Sequence, residues 1–170
     1  ERGLTFAAAL RAILRQDPNV VLIGEIRDSE TGTIATEAAL TGHLVLSTMH
    51  TNDAVGAIPR IINLGVESSW VSASIIGVLS QRLVRRLCSR CNDEYEPDAA
   101  RLEAAGLMHL PPGTTLFKPR GCSSCNGIGY KGRLAIHEVL LMSEGMRDLI
   151  TDEVTTTKLR ALAVEGGFRD

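Results

Sequence analysis

Apolar and polar residues alternate along the chain with two different periods, and the period assigns the elements. After Thr5, which can cap a helix, Phe6, Leu10, Ile13 and Leu14 recur on one helical face while Arg11 and Arg15 point elsewhere, and Asp17-Pro18 ends the run. Residues 20–23, VVLI, form a short uninterrupted apolar stretch bounded by Pro18 and Gly24, the pattern of a strand buried on both faces of a parallel sheet. Ser29 can cap a second helix with Glu30 in its first turn, an apolar side of Ala35, Ala38, Ala39 and Leu40, and Gly42 at its end. A second strand-like run at 44–46 completes a β-α-β order, the crossover that a parallel pair needs. Both strands end in polar groups. Glu25, Arg27 and Asp28 follow the first, and Ser47, Thr48, His50 and Thr51 follow the second.

Beyond this unit, Asp53 is a good N-cap, with Val55, Ile58 and Ile62 on one side before Gly65. Pro59 removes a backbone donor, which predicts a kink or a helix that begins near Ile58. Ser69 opens a further predicted helix that buries Val71, Ile75, Val78 and Leu79 and ends at Gln81 and Arg82. The sequence then turns acidic and Pro-containing over 92–120, with one short helix expected over 98–107 and a turn at Pro111-Pro112-Gly113. Residues 132–142, GRLAIHEVLLM, read as a buried strand. Two short helical patterns follow, Met146, Leu149 and Ile150, then Leu159, Leu162 and Ala163.

Composition narrows the class. Aromatics make up only 4% of the 170 residues against 44% hydrophobic, so Val, Ile, Leu and Ala must fill the core. A net charge of −2 provides no general attraction for nucleic acid or anionic lipid. Arg82, Arg85, Arg86 and Arg90 cluster without interleaved aromatics, which favours a solvated or intersubunit surface over a nucleic-acid groove. The longest nearly apolar segment, 70–79, is far short of the roughly 20 residues that span a bilayer. With no initiating Met and no signal-peptide pattern, the sequence reads as a fragment.

In open α/β sheets ligands bind beyond the carboxyl ends of the strands. An acid closing an apolar strand is what nucleotide hydrolases use to hold magnesium or orient water, so Glu25 is the candidate. Charge also follows buried strands simply where a chain reaches solvent, and the neighbouring residues have to decide between the two. Four cysteines fall in two C-x-x-C pairs, Cys88 with Cys91 and Cys122 with Cys125, which can complete a tetrahedral sulfur site. Such a site is closed and therefore structural. The competing redox C-x-x-C normally sits at a helix start in a βαβ setting, which is not evident here.

GEIRD followed by TGHLVLSTMHTNDA resembles the atypical Walker B and histidine box of the motor ATPases of type II secretion and type IV pilus assembly. The likeness runs from GLTFAAALRAILRQDPN to the final GGFRD and includes QRLVR before the first cysteine pair. It implies an α/β fold, an incomplete RecA-like P-loop NTPase core over 1–87, a tetracysteine zinc subdomain over 88–130, and a strand with small C-terminal helices over 131–170. By resemblance, Glu25 is the catalytic acid and His50 approaches the terminal phosphate. Gly24, Arg27, Asp28, His43, Thr48, Gln81 and Arg82 are the implied nucleotide-side residues, and Gly24 stands where an ordinary Walker B carries aspartate. The implied cofactors are ATP, Mg2+ and Zn2+, the zinc on Cys88, Cys91, Cys122 and Cys125. The implied partners are identical subunits in a hexameric ring and an inner-membrane platform protein, which places the protein in the cytoplasm at that membrane, with no nucleic acid. No G-x-x-x-x-G-K-[ST] loop occurs in the sequence; in the family it lies upstream of position 1, so both ends are expected to be cut. Two other readings stay open, a non-hydrolysing zinc-stabilised interaction module and a zinc-ribbon nucleic-acid binder. CSSCNGIGYKGR resembles one repeat of a cysteine-rich co-chaperone zinc domain, which is the best case for the former.

Overall fold

The computed structural model describes residues 5–169, which divide into two compact units, 5–80 with 137–169, and Gln81–Ile136. In the first unit Thr5 accepts a hydrogen bond from Ala8 N–H and opens helix α1 (Phe6–Leu14), and Asp17, at φ 56°, turns the chain out of it. Strands β1 (Val20–Ile23) and β2 (Leu44–Ser47) pair in parallel with Val20 opposite Leu44 and Ile23 opposite Ser47. Helix α2 (Ser29–Leu40) is the crossover between them, as expected. Its cap is Asp28 rather than Ser29: Asp28 Oδ1 accepts from Thr31 N–H at 2.8 Å, because a carboxylate one residue earlier reaches the first free amides better. Gly42, at φ 103°, follows its end.

α2 packs against α1, β2 and α4 (Ser68–Ser74), and α4 also meets α3 (Ala57–Asn63) and α6 (Glu144–Leu149), which packs on α7 (Thr156–Glu165). Pro59 is the third residue of α3, in the first turn where its missing donor costs nothing, and Asp53 caps the preceding turn by accepting from Gly56 N–H. One apolar cluster holds this unit, with Ile23, Ile34, Val55, Ile58, Val66, Val71, Leu140, Met146 and Leu159 buried. Each fully buried side chain of this size contributes about 1.5–3 kcal/mol.

Further expectations are corrected. The strand expected to be buried over 132–142 forms at Tyr130–Leu141 but is largely exposed, with Leu134, Ile136, Val139 and Leu141 open to solvent and Leu140 buried. β1 is covered on one face only: Val21 and Ile23 are buried, whereas Leu22 is 74% exposed and Val20, Leu44 and Leu46 share the open face. A single right-handed crossover covers one side of a strand pair, and no described element covers the other. In α1 the buried face is Ala7 and Leu10 with Leu14 beside them, and Phe6 and Ile13 are exposed. The helix expected from Ser69 to Gln81 stops at Ser74. Ile75 is extended, and Gly77–Leu87 forms strand β3 instead, pairing with β6 (Tyr130–Leu141). Arg147 donates to the Ser72 and Ile75 carbonyls and so terminates α4 there.

The chain leaves the first unit along β3 and returns along β6. In the second unit β4 (Asn92–Tyr95) and β5 (Leu116–Pro119) form an antiparallel pair, and α5 (Ala99–Ala104), capped by Asp98, is the short helix expected in this region. The buried cluster of this unit among the described residues is Cys88, Cys91 and Cys125, with Cys122 against it. Among the described residues no helix is long and apolar enough to cross a membrane.

Candidate functional site

The parallel register sets Ile23 beside Ser47, so the segments leaving β1 and β2 emerge together at one edge. Two hydrogen bonds hold them side by side past the ladder. Ile26 N–H donates to the Thr48 carbonyl at 3.0 Å, and the Thr48 hydroxyl donates to the Gly24 carbonyl at 2.6 Å. Glu25 projects from the first segment between the two bonded positions, and His50 follows two residues after Thr48 on the second. Arg27 Nη2 lies 2.5 Å from Glu25 Oε1, and His50 Nε2 lies 3.5 Å from Glu25 Oε2. His50 is 91% exposed at its side chain and Glu25 32%, so both remain open to a ligand.

The hydrogen bond from Arg27 holds the Glu25 carboxyl below its ordinary range; partial burial opposes this, and the charge of Arg27 with the proximity of His50 adds to it. Glu25 is thus an anion at neutral pH, able only to accept, which suits it to orient a water or to ligate a hard cation. Asp28 is held below its ordinary value by the backbone and side chain of Thr31, and its geometry is that of a helix cap. Gly24 is exposed, with nothing within 4 Å of where a Cβ would stand.

Of the other expected residues in the first unit, His43 lies apart from this pair. His43 precedes β2, at the opposite end of the strands, and its Nδ1 is 2.9 Å from the Ala38 carbonyl, closing the turn after α2. Gln81 and Arg82 are exposed on β3 in the second unit. The loop after His50 has partners that sequence reasoning missed. Asp53 Oδ1 accepts from Gly56 N–H at 2.7 Å while its Oδ2 pairs with Arg160 at 2.9 Å, and Ala54 N–H donates to Glu138 Oε2 at 2.7 Å. Glu138 is 84 positions from Ala54, so no local signal could have joined them. A cleft of about 340 Å³ beside this loop is lined by His50, Thr51, Asp53, Arg60 and Thr156, among others.

In the second unit the sulfur atoms of Cys88, Cys91, Cys122 and Cys125 all lie within 4.8 Å of one another. Cys91 and Cys125 are 3.7 Å apart, and Cys122 and Cys125 are 3.8 Å apart. A tetrahedron with metal–sulfur bonds of about 2.3 Å has edges of about 3.8 Å, so the donor set fits zinc, whereas a disulfide needs about 2.05 Å. Burial opposes ionisation of Cys125, yet the Cys122 and Gly129 amides, each 3.2 Å from its sulfur, and the neighbouring thiols bring it down to about 6. Burial, reinforced by the surrounding thiols, pushes Cys91 up to about 12.

The model of the type II/IV secretion system protein family matches residues 1–169. The chain is 52% identical to the type IV pilus assembly ATPase PilB of Thermus thermophilus over 99% of its length and 19% of that protein. It is 57% identical to the type II secretion system protein E of Klebsiella pneumoniae over 85% of its length and 28% of that protein. It spans about a fifth to a third of the length of the curated relatives it matches. Among solved structures, the pilus retraction motor PilT with bound ADP aligns at a TM-score of 0.60 and 29% identity, over 95% of this chain and 36% of that one. The Legionella pneumophila ATPase DotB aligns at a TM-score of 0.62 and 24% identity, over 99% of this chain and 37% of that one, a likeness of fold. The strand edge that carries Glu25 and His50 therefore sits in an α/β fold shared with these ATPases, and the chain belongs to the type II/IV secretion system protein family.

Proposed function

We propose that this chain supplies the strand-edge half of an ATP-hydrolysing site in a motor of type II secretion or type IV pilus assembly. The observation that carries the reading is the Glu25–His50 pair, 3.5 Å apart and delivered by two adjacent parallel strands. Glu25, kept ionised by Arg27, orients the attacking water or a magnesium ligand. His50 offers Nε2 to the terminal phosphate, and Thr48 fixes the separation of the two segments through Gly24. Magnesium, when bound, neutralises charge on the phosphate oxygens; a single carboxylate beside substrate phosphates is a usual protein contribution to its shell. Gln81 and Arg82 stay in the expected nucleotide-side set, whereas His43, at the opposite end of the strands, closes the turn after α2. Cys88, Cys91, Cys122 and Cys125 hold one structural zinc, so the chain divides by role into a catalytic core, a zinc subdomain and a C-terminal part. Identical subunits in a hexameric ring and an inner-membrane platform protein are the proposed partners.

The test is ATP turnover in the parent protein containing a G-x-x-x-x-G-K-[ST] loop. Glu25→Gln keeps the shape and removes the charge, so kcat falls by about 100-fold or more while nucleotide binding persists. His50→Ala costs less. Wild-type turnover by Glu25→Gln refutes the reading. The 170-residue chain assayed alone is expected to release no phosphate above background, because its sequence contains no phosphate-cradling loop and positioning provides most of phosphoryl-transfer catalysis.

A further inference from the structure

We infer that Glu138 and Arg160 are positioning residues for His50, tying the C-terminal strand and helix to the strand-edge site; the inference rests on the catalytic reading of Glu25 and His50. His50 is the third residue of the connection between β2 and α3, two positions after Thr48, and its exposed ring has no packing to fix it. Thr48 anchors the backbone on its N-terminal side, so the distance of His50 from Glu25 is set jointly by that anchor and by the backbone that follows. That backbone is gripped at two consecutive residues by groups from far along the chain. Ala54, fully buried, gives its N–H to Glu138 on β6 at 2.7 Å, a charge-assisted bond. Asp53 uses one oxygen to close the turn at Gly56 and the other to meet Arg160 on α7 at 2.9 Å, with both side chains about 70% covered.

Local demands of the loop do not require these anchors. The turn is already closed by Asp53 and Gly56, and Thr51 Oγ1 donates to the Asp53 carbonyl at 3.0 Å. Glu138 and Arg160 add an external reference, and Thr156, one turn before Arg160 on α7, lines the same cleft as His50. Any displacement of β6 or α7 is thereby passed to Ala54 or Asp53 and on to the His50–Glu25 separation. Phosphoryl transfer is steeply sensitive to such placement. The two C-terminal elements thus set the geometry of a site to which they contribute no reacting group.

The experiment uses the parent protein. Glu138→Gln and Arg160→Ala should each lower kcat by about tenfold with KM for ATP changed less than about twofold, and Arg160→Lys should retain most of the activity. In a His50→Ala background neither substitution should lower kcat further, because both act through His50. Additive losses, or unchanged kcat in both variants, overturn the inference. In the same proteins the His50 ring resonances should shift, and the Ala54 and Gly56 amides should exchange faster, in both Glu138→Gln and Arg160→Ala. Unmoved resonances and unchanged exchange overturn the inference even if the protein proves to have no ATPase activity, whereas loss of the catalytic reading alone shows as wild-type turnover by Glu25→Gln.

Discussion

Arg27 decides the state in which Glu25 meets a ligand, since its guanidinium is the largest influence lowering that carboxyl. Replacing it by Gln should raise the Glu25 titration toward the ordinary carboxylate value of about 4.3, as followed by NMR of the side-chain carboxyl, and should move the acid limb of any Glu25-dependent activity to higher pH. Asp28 acts instead on stability. Its folded-state pKa is depressed by Thr31, so its contribution is fully present above the unfolded value of about 3.9 and is lost as pH falls through the lower folded one. Asp28→Ala should lower the melting temperature at pH 7 and lower it progressively less as pH falls through the depressed folded-state value; an equal loss at every pH would refute the charge-dependent cap. Gly32 is fixed by packing rather than by backbone conformation. A Cβ there would stand 2.5 Å from Val66 Cγ2, and Val66 is buried and stiff at χ1. Gly32→Ala should therefore cost about 1–3 kcal/mol by overpacking, against a helix-propensity gain of about 1 kcal/mol, measured by urea unfolding. Val66→Ala in the same chain should relieve most of that strain.

Elements whose limits are set by neighbouring residues were legible in the sequence. Thr5 opens α1, Gly42 follows α2, and the β1-α2-β2 order can be read from period and punctuation alone, as can the placement of Glu25 and His50 at one strand edge. The α4 to β3 transition was not. Val71, Ile75, Val78 and Leu79 satisfy a helical period, but what ends α4 is Arg147, 75 positions from Ser72, and what makes 77–87 a strand is its pairing with β6. Both are non-local, and no window around residue 75 contains them. Glu138 and Arg160 escaped notice for the same reason. Arg147→Ala should leave the Ser72 and Ile75 carbonyls without their donor, at a cost of about 1–3 kcal/mol, and amide exchange should quicken first at the end of α4. Exchange that quickens uniformly through the first unit would contradict a local capping role.

At the scale of the whole molecule, the two units are held by different chemistry. The apolar cluster from Ala7 to Phe168 belongs entirely to the first unit, whereas the described core of the second is its cysteines. Small segments without an adequate apolar core rely on metal or disulfides, and the four thiols are free and spaced for a metal. A structural zinc in small peptides provides about 10–16 kcal/mol at pH 7, far more than β4, β5 and α5 could supply by packing few apolar side chains. Because Cys91 resists ionisation in the absence of a cation, metal capture must expel protons, so affinity should fall as pH falls. Metal analysis of reduced protein should find one zinc per chain. Chelation, or Cys122→Ser, should speed amide exchange throughout 88–130 while protection in β1, α2 and β2 stays as it was. Zinc-free protein with four free thiols and unchanged protection in 88–130 would overturn this division of labour. Loss of protection in both units together would mean instead that the apolar cluster of the first unit depends on the metal site as well.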